Sequence, residues 1–154
     1  MTDNIIIRKA NNDDLQAILA LIDSPHADNG SAMELRDANM IFQSILDDPN
    51  YFQIVASSEQ GIVGMITLVI IMQMTHEGAT TALITDMITT SDNNSNKSSE
   101  IASELLKYAT NLAQEYGCYK TIFQCDYQTD ISSSACQKLG FEKSSPCYLL
   151  PDDG

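Results

Sequence analysis

The stretch EIASELLKYATNLAQEYGCYKTIFQCD, residues 100–126, decides the fold. Within it Ile101, Leu105, Ala109 and Leu112 recur at intervals of 4, 4 and 3, joined by Leu106 and Ala113. That spacing lays one apolar stripe along a helix. The helix is predicted over 100–115, and Gly117 stops it by supplying the left-handed conformation on which helices commonly end. Residues 121–125 (TIFQC) then read as a strand. A striped helix running into a strand implies a helix packed on a sheet.

Working outward, residues 52–56, 62–74 and 82–89 are strand-like runs separated by Glu59-Gln60-Gly61 and His76-Glu77-Gly78. They predict an antiparallel meander. Met65, Met72, Met74 and Met87 fall within these runs and are expected in the core, while His26 and His76 are expected at the surface. SDNNSNKSS (91–99) is polar and reads as a loop. Near the start, residues 5–7 form a strand-like run. Asn11-Asn12-Asp13-Asp14 then offers caps to a helix carrying Leu15, Ile18, Leu19 and Ile22. A loop over 23–33 precedes a second helix over 34–46, which Pro49 ends. A short helix over 131–138 and a last strand over 147–150 complete the order. The expectation is one domain over residues 1–154, an α/β fold. Its mixed, mostly antiparallel sheet has about six or seven strands flanked by helices.

Eight basic residues against 21 acidic give a net charge of −13. Nucleic acids and anionic membranes are bound by positive patches, so both are excluded as expected partners. Residues 97–143 hold five lysines against six acids, net −1, leaving −12 to the rest. If any part of the chain meets an anionic ligand, it is this C-terminal third; on charge alone, solvated helix faces are the plainer reading. No run approaches the roughly 18 apolar residues of a membrane span, and Met1–Arg8 has no signal-peptide pattern. The four cysteines (118, 125, 136, 147) include no CxxC pair, so no metal site is expected. Reduced thiols and a cytoplasmic location follow as expectations.

The order of elements resembles the GNAT acetyltransferase fold, and the opening Ile7-Arg8-Lys9-Ala10 with Asp14 is similar to its usual start. Tyr116-Gly117-Cys118-Tyr119-Lys120 followed by Gln124-Cys125-Asp126 closely resembles the segment after the main helix in eukaryotic glucosamine-6-phosphate N-acetyltransferases. His76-Glu77 with Ile84-Thr85-Asp86, and Lys138-Leu139-Gly140-Phe141, line up as well. The resemblance covers about residues 76–141 in detail and the first 75 by pattern.

The resemblance implies acetyl-CoA as cofactor and a small-molecule primary amine as acceptor, glucosamine 6-phosphate in the nearest family. It also implies a homodimer whose terminal strands help complete the partner's site. The implied roles follow the family's motif. Backbone groups of Met87, Ile88 and Thr89 hold the pantetheine and acetyl carbonyl. Lys97, Ser98, Ser99, Glu100, Ile101 and Ala102 meet the pyrophosphate at the start of the main helix, where free N–H groups and the helix dipole favour an anion. Thr85, Asp86, Lys120, Gln124 and Asp126 line the acceptor side. Asp86 and Gln124 act on the amine, and Cys136 is the candidate proton donor to the leaving thiolate, with Ser132, Ser133 and Ser134 competing for nearby roles.

The residues admit plainer readings too. Glu100 stands where the family has a loop glycine. A carboxylate about 5 Å from a phosphate charge costs roughly 3 kcal/mol at an effective dielectric of about 20, whereas a first-turn acid stabilises its own helix. Asp86 can cap a strand end, Cys136 can be a small buried residue, and Lys120 can be solvated. Two other functions stay open: a non-catalytic GNAT-fold binding or assembly protein, and an acetyltransferase for a cationic amine.

Overall fold

The computed structural model describes residues 4–23, 33–90, 95–124, 130–144 and 147–151. Among these residues five strands form one sheet in the order β1 (Ile6–Lys9), β2 (Tyr51–Ser58), β3 (Gly61–Ile71), β4 (Thr81–Thr89), β5 (Lys120–Phe123). The first four pair antiparallel and β5 joins β4 in parallel, so the sheet is mixed and mostly antiparallel. The helices are α1 (Leu15–Ile22), α2 (Leu35–Asp47), α3 (Ser95–Glu115) and α4 (Asp130–Leu139).

The period of two divides the sheet's side chains between its faces. Phe52, Ile54, Ala56, Ile66, Leu68, Ile70 and Ile84 meet the stripe of α3, with Ala135 of α4 behind it. Val55, Met65 and Ile88 point the other way, onto Leu15, Ile18 and Leu21 of α1 and Ala38 and Phe42 of α2. Ile101, Leu105 and Leu106 are almost wholly buried; each contributes about 2 kcal/mol through apolar area removed from water.

The sheet is smaller than the sequence suggested. Residues 147–150 are not a strand, and Tyr148, Leu149 and Leu150 are 85–99% exposed. An apolar string becomes a strand only where an edge and a core face receive it. For the same reason β3 ends at Ile71, and Met72 and Met74 stand exposed rather than in the core. α3 starts at Ser95, about a turn ahead of the expected residue 100. His76 is exposed and stacks on Tyr119 at 4.3 Å between ring centroids. His26 lies outside the described residues.

Two contacts hold this frame. A β-carbon at Gly64 would lie 2.9 Å from Ile101 Cγ2, 3.0 Å from Leu105 Cδ1 and 3.2 Å from the Ile88 carbonyl oxygen. The helix therefore sits directly on the β3 backbone. At the front, Arg8 grips Asp14 through both guanidinium NH groups, at 2.7 and 3.0 Å, and Asp14 also accepts from the Asn11 N–H at 2.8 Å. Asp14 is buried, and the hydrogen bond from Arg8 holds its carboxyl below the ordinary aspartate value.

Gly64→Ala is expected to cost about 1–3 kcal/mol, because the added methyl meets the β-branched Ile101 and the Ile88 backbone as well as the tip of Leu105; urea denaturation would measure it. Asp14→Asn is expected to cost about 1–3 kcal/mol at pH 7. A carboxylate with a depressed folded-state pKa stabilises above its unfolded value, about 3.9, and loses that contribution as pH falls through the folded value. The gap between the two proteins should therefore close below about pH 4 in denaturation run at several pH values.

Candidate functional site

The site forms where β4 and β5 part. Their parallel pairing runs from Thr81↔Lys120 to Ile84↔Phe123, and the Gln124 N–H donates to the Ile84 carbonyl at 2.9 Å. β4 continues to Thr89, and among the described residues no strand pairs with Thr85–Thr89 on the β5 side. On the β3 side the register slips, so that Asp86 and Met87 together face Ile66 between Thr67↔Thr85 and Met65↔Ile88. This is a β-bulge, and Asp86 has φ +55°, a conformation aspartate tolerates better than most residues. Asp86 is thus a bulge residue inside β4, not the cap of a strand end.

The chain leaves β4 toward α3 under two ties. The Thr90 N–H donates to the Val63 carbonyl at 2.9 Å, and the Ser98 hydroxyl to the Thr90 carbonyl at 3.0 Å. Ser98 is buried, its hydroxyl spent on this tie. Because α3 starts at Ser95, amides that look beyond the helix for acceptors belong to its first turn, Ser95–Ser98. The amides of Ser99, Glu100, Ile101 and Ala102 have helix carbonyls four residues back. Ile101 and Ala102 are buried under the helix and Ser99 and Lys97 are half-buried. Glu100 is exposed in the second turn, so it is not a first-turn acid.

The expected acceptor residues separate into two places. Thr85 and Gln124 lie beside each other at the parting, both on the α1/α2 face of the sheet, since their neighbours Ile84 and Phe123 pack against the α3 core. Asp86 joins them at the bulge. Lys120 is opposite Thr81, four residues back along β4 and so roughly 13 Å away. There its ammonium lies 5.7 Å from the Tyr119 ring centroid. A hydrogen bond with Gln73, with the Lys120 charge, draws the Tyr119 phenol below the ordinary tyrosine value. Cys136 is half-buried on α4 against the α3 core, the opposite side of the sheet from Thr85. Asp126 lies outside the described residues.

One group escaped the reading of the sequence. Tyr51 opens β2 on the same face as Thr85, flanked by Gln53 and by Thr67 of β3. Thr67 donates its hydroxyl to Gln53 Oε1 at 3.4 Å, and both residues are buried. Burial, then the nearby Asp86 carboxylate, hold the Tyr51 phenol above its ordinary value. Alternation of Tyr51, Gln53 and Val55 against Phe52, Ile54 and Ala56 was the available signal.

Chemically, the gap offers an open strand edge to an extended, amide-bearing ligand. A helix start lies at one end for an anionic group, and a carboxylate lies on the far face. Among the described residues no three of His, Cys, Asp and Glu gather as a metal cage, and no helix is long and apolar enough to cross a membrane.

Similar folds recur among solved structures. A transcriptional regulator from Bacillus halodurans C-125 shares 24% identity at a TM-score of 0.82, covering 97% of this chain and all of that one. Glucosamine-6-phosphate N-acetyltransferase from Arabidopsis thaliana shares 18% at 0.80, covering 97% and 99%. A Clostridium acetobutylicum protein described as a predicted acetyltransferase, with acetyl-CoA, shares 18% at 0.69, covering 96% of each chain. At such identities the likeness speaks for the fold alone. No protein of curated function matches the sequence. The profile of the acetyltransferase (GNAT) family, however, matches residues 15–141, from the first turn of α1 through the end of α4 and past the β4–β5 gap. The chain belongs to that family, whose cofactor is acetyl-CoA.

Proposed function

We infer that the protein is an acetyl-CoA-dependent N-acetyltransferase acting on a small primary amine. The observation that supports this most is the parting of β4 from β5 after Ile84, with the α3 start at one end of the exposed edge and the Asp86 bulge beside it. When bound, acetyl-CoA supplies a thioester that a neutral amine attacks: the N–C bond forms as the C–S bond breaks, sulfur leaving with the electron pair and taking up a proton.

The chain's own residues position and deprotonate. Backbone groups of Met87–Thr89 hold the extended arm and the acetyl carbonyl. The first turn of α3 with Lys97 faces the pyrophosphate, within the stretch Lys97–Ala102. Asp86 attracts the acceptor ammonium and takes its proton, Gln124 and Thr85 hydrogen-bond the rest of the acceptor, and Lys120 and Asp126 extend that side. Cys136 is the candidate thiolate protonator. Its place across the sheet requires the sulfur to sit in the gap itself. The dimer is proposed too, resting on the resemblance and on the exposed apolar string Tyr148-Leu149-Leu150.

Glucosamine 6-phosphate is the acceptor that the sequence resemblance names. A cationic amine is the second reading, favoured by the Asp86 and Asp48 carboxylates around Tyr51.

Calorimetric titration with acetyl-CoA should give binding tighter than about 1 mM, the upper end of ordinary KM values; failure would leave the non-catalytic reading. Release of thiol with glucosamine 6-phosphate against spermidine chooses the acceptor. Asp86→Asn is expected to lower kcat/KM by about a hundredfold or more, the ordinary contribution of a positioned base, with acetyl-CoA affinity little changed.

A further inference from the structure

Ser98 stands in the stripe by which α3 meets the sheet. It lies one turn ahead of Ile101 and Ala102 and two turns ahead of Leu105, all buried, and is itself only 4% exposed. The stripe beyond it is apolar. An apolar side chain would fill that place with no need of a partner, whereas a buried hydroxyl is costly unless it is hydrogen-bonded. The Ser98 hydroxyl meets that need by donating to the Thr90 carbonyl at 3.0 Å.

Thr90 is held from two sides. Its N–H donates to the Val63 carbonyl at 2.9 Å, which carries the β3–β4 ladder one residue past Thr89. Its carbonyl takes the Ser98 hydroxyl. Thr90 thus belongs to the sheet through one group and to α3 through the other. Hydrophobic packing is non-directional and tolerates sliding along the helix axis; a hydrogen bond is directional and resists it. Gly64 sets how closely α3 approaches the sheet, and Ser98 sets where its first turn stands along β4.

The proposed site gives that position a use. Acetyl-CoA would engage the chain at two places: its amide-bearing arm along the β4 edge, its diphosphate at the start of α3. Arm and diphosphate are parts of one molecule. Two linked anchors bind on the order of a hundredfold or more tighter than either alone, but only while the two sites keep a separation that the molecule spans. A helix free to slide would have to be ordered at binding, which lowers affinity.

We propose that Ser98 is a positioning residue for the cofactor. Its hydroxyl holds the Thr90 carbonyl rather than a phosphate, and so fixes the distance between the strand edge that takes the arm and the helix start that takes the diphosphate.

This inference rests on the acetyl-CoA reading of the site, and its test separates the two. The probes are CoA and ADP, which carries a diphosphate without the arm. In calorimetric titration Ser98→Ala should bind CoA about tenfold more weakly, the upper worth of one ordinary hydrogen bond, and ADP as the unaltered protein does. In turnover the KM for acetyl-CoA should rise by the same factor, with kcat and the acceptor KM little changed. A serine that touched the phosphate itself would weaken ADP as much as CoA. A merely structural serine would lower the melting temperature and leave the CoA affinity of the folded protein as it was. Either result, or ADP that fails to compete with CoA for the unaltered protein, would overturn the positioning role and leave the transferase reading standing. Gly64→Ala presses on Ile101 and Leu105 from beneath α3 and should give the same pattern, which keeps the inference open to refutation if Ser98→Ala does not fold. An unaltered protein that binds no CoA would remove the transferase reading, and this inference with it.

Discussion

Gly64 sets the height of α3 above the sheet. With no β-carbon there, Ile101 and Leu105 drop onto the β3 backbone, close to the Ile88 carbonyl of β4. That approach brings Ser98 within hydrogen-bond reach of Thr90, where the chain leaves β4. A helix standing farther off would lose this tie, and its first turn would drift from the exposed strand edge. The anion-favouring end of the helix and the edge that would receive an extended ligand are held together by packing in the core, not by contacts at the surface.

The bulge in β4 solves a second problem. By strict alternation after Ile84, which faces α3, the side chain of Asp86 would enter the α3 core. An unpaired carboxylate there would be far costlier than one near water. The extra residue opposite Ile66 absorbs it, after which Met87 rejoins the α3 core and Ile88 the α1/α2 core. The left-handed conformation of Asp86 is the local cost of placing a charge mid-strand.

Elements that rest on local pattern were legible in the sequence. The stripe of α3, the meander and the glycine stop after α3 all depend on neighbours a few residues apart, and the polar cap of Asn11–Asp14 likewise. The start of α3 was not legible, because Ser95–Ser99 carries no apolar residue to mark a period; only the tertiary bond of Ser98 reveals why a polar segment coils there. Register escaped for a related reason. Whether Lys120 lies beside Asp86 or five residues away is decided by how β5 pairs with β4, a long-range fact that no window of sequence contains.

A chain of net charge −13 that uses an anionic cofactor must keep its own carboxylates from opposing it. Position does this here. Glu100 is exposed on the outer side of α3, where water sets the dielectric: at 5 Å the repulsion of a phosphate charge falls from roughly 3 kcal/mol to below about 1 kcal/mol, and salt lowers it further. Asp86 and Asp48 act on Tyr51, on the α1/α2 face of the sheet. The acidity that seems hostile to the cofactor is thus divided by the sheet and by solvent.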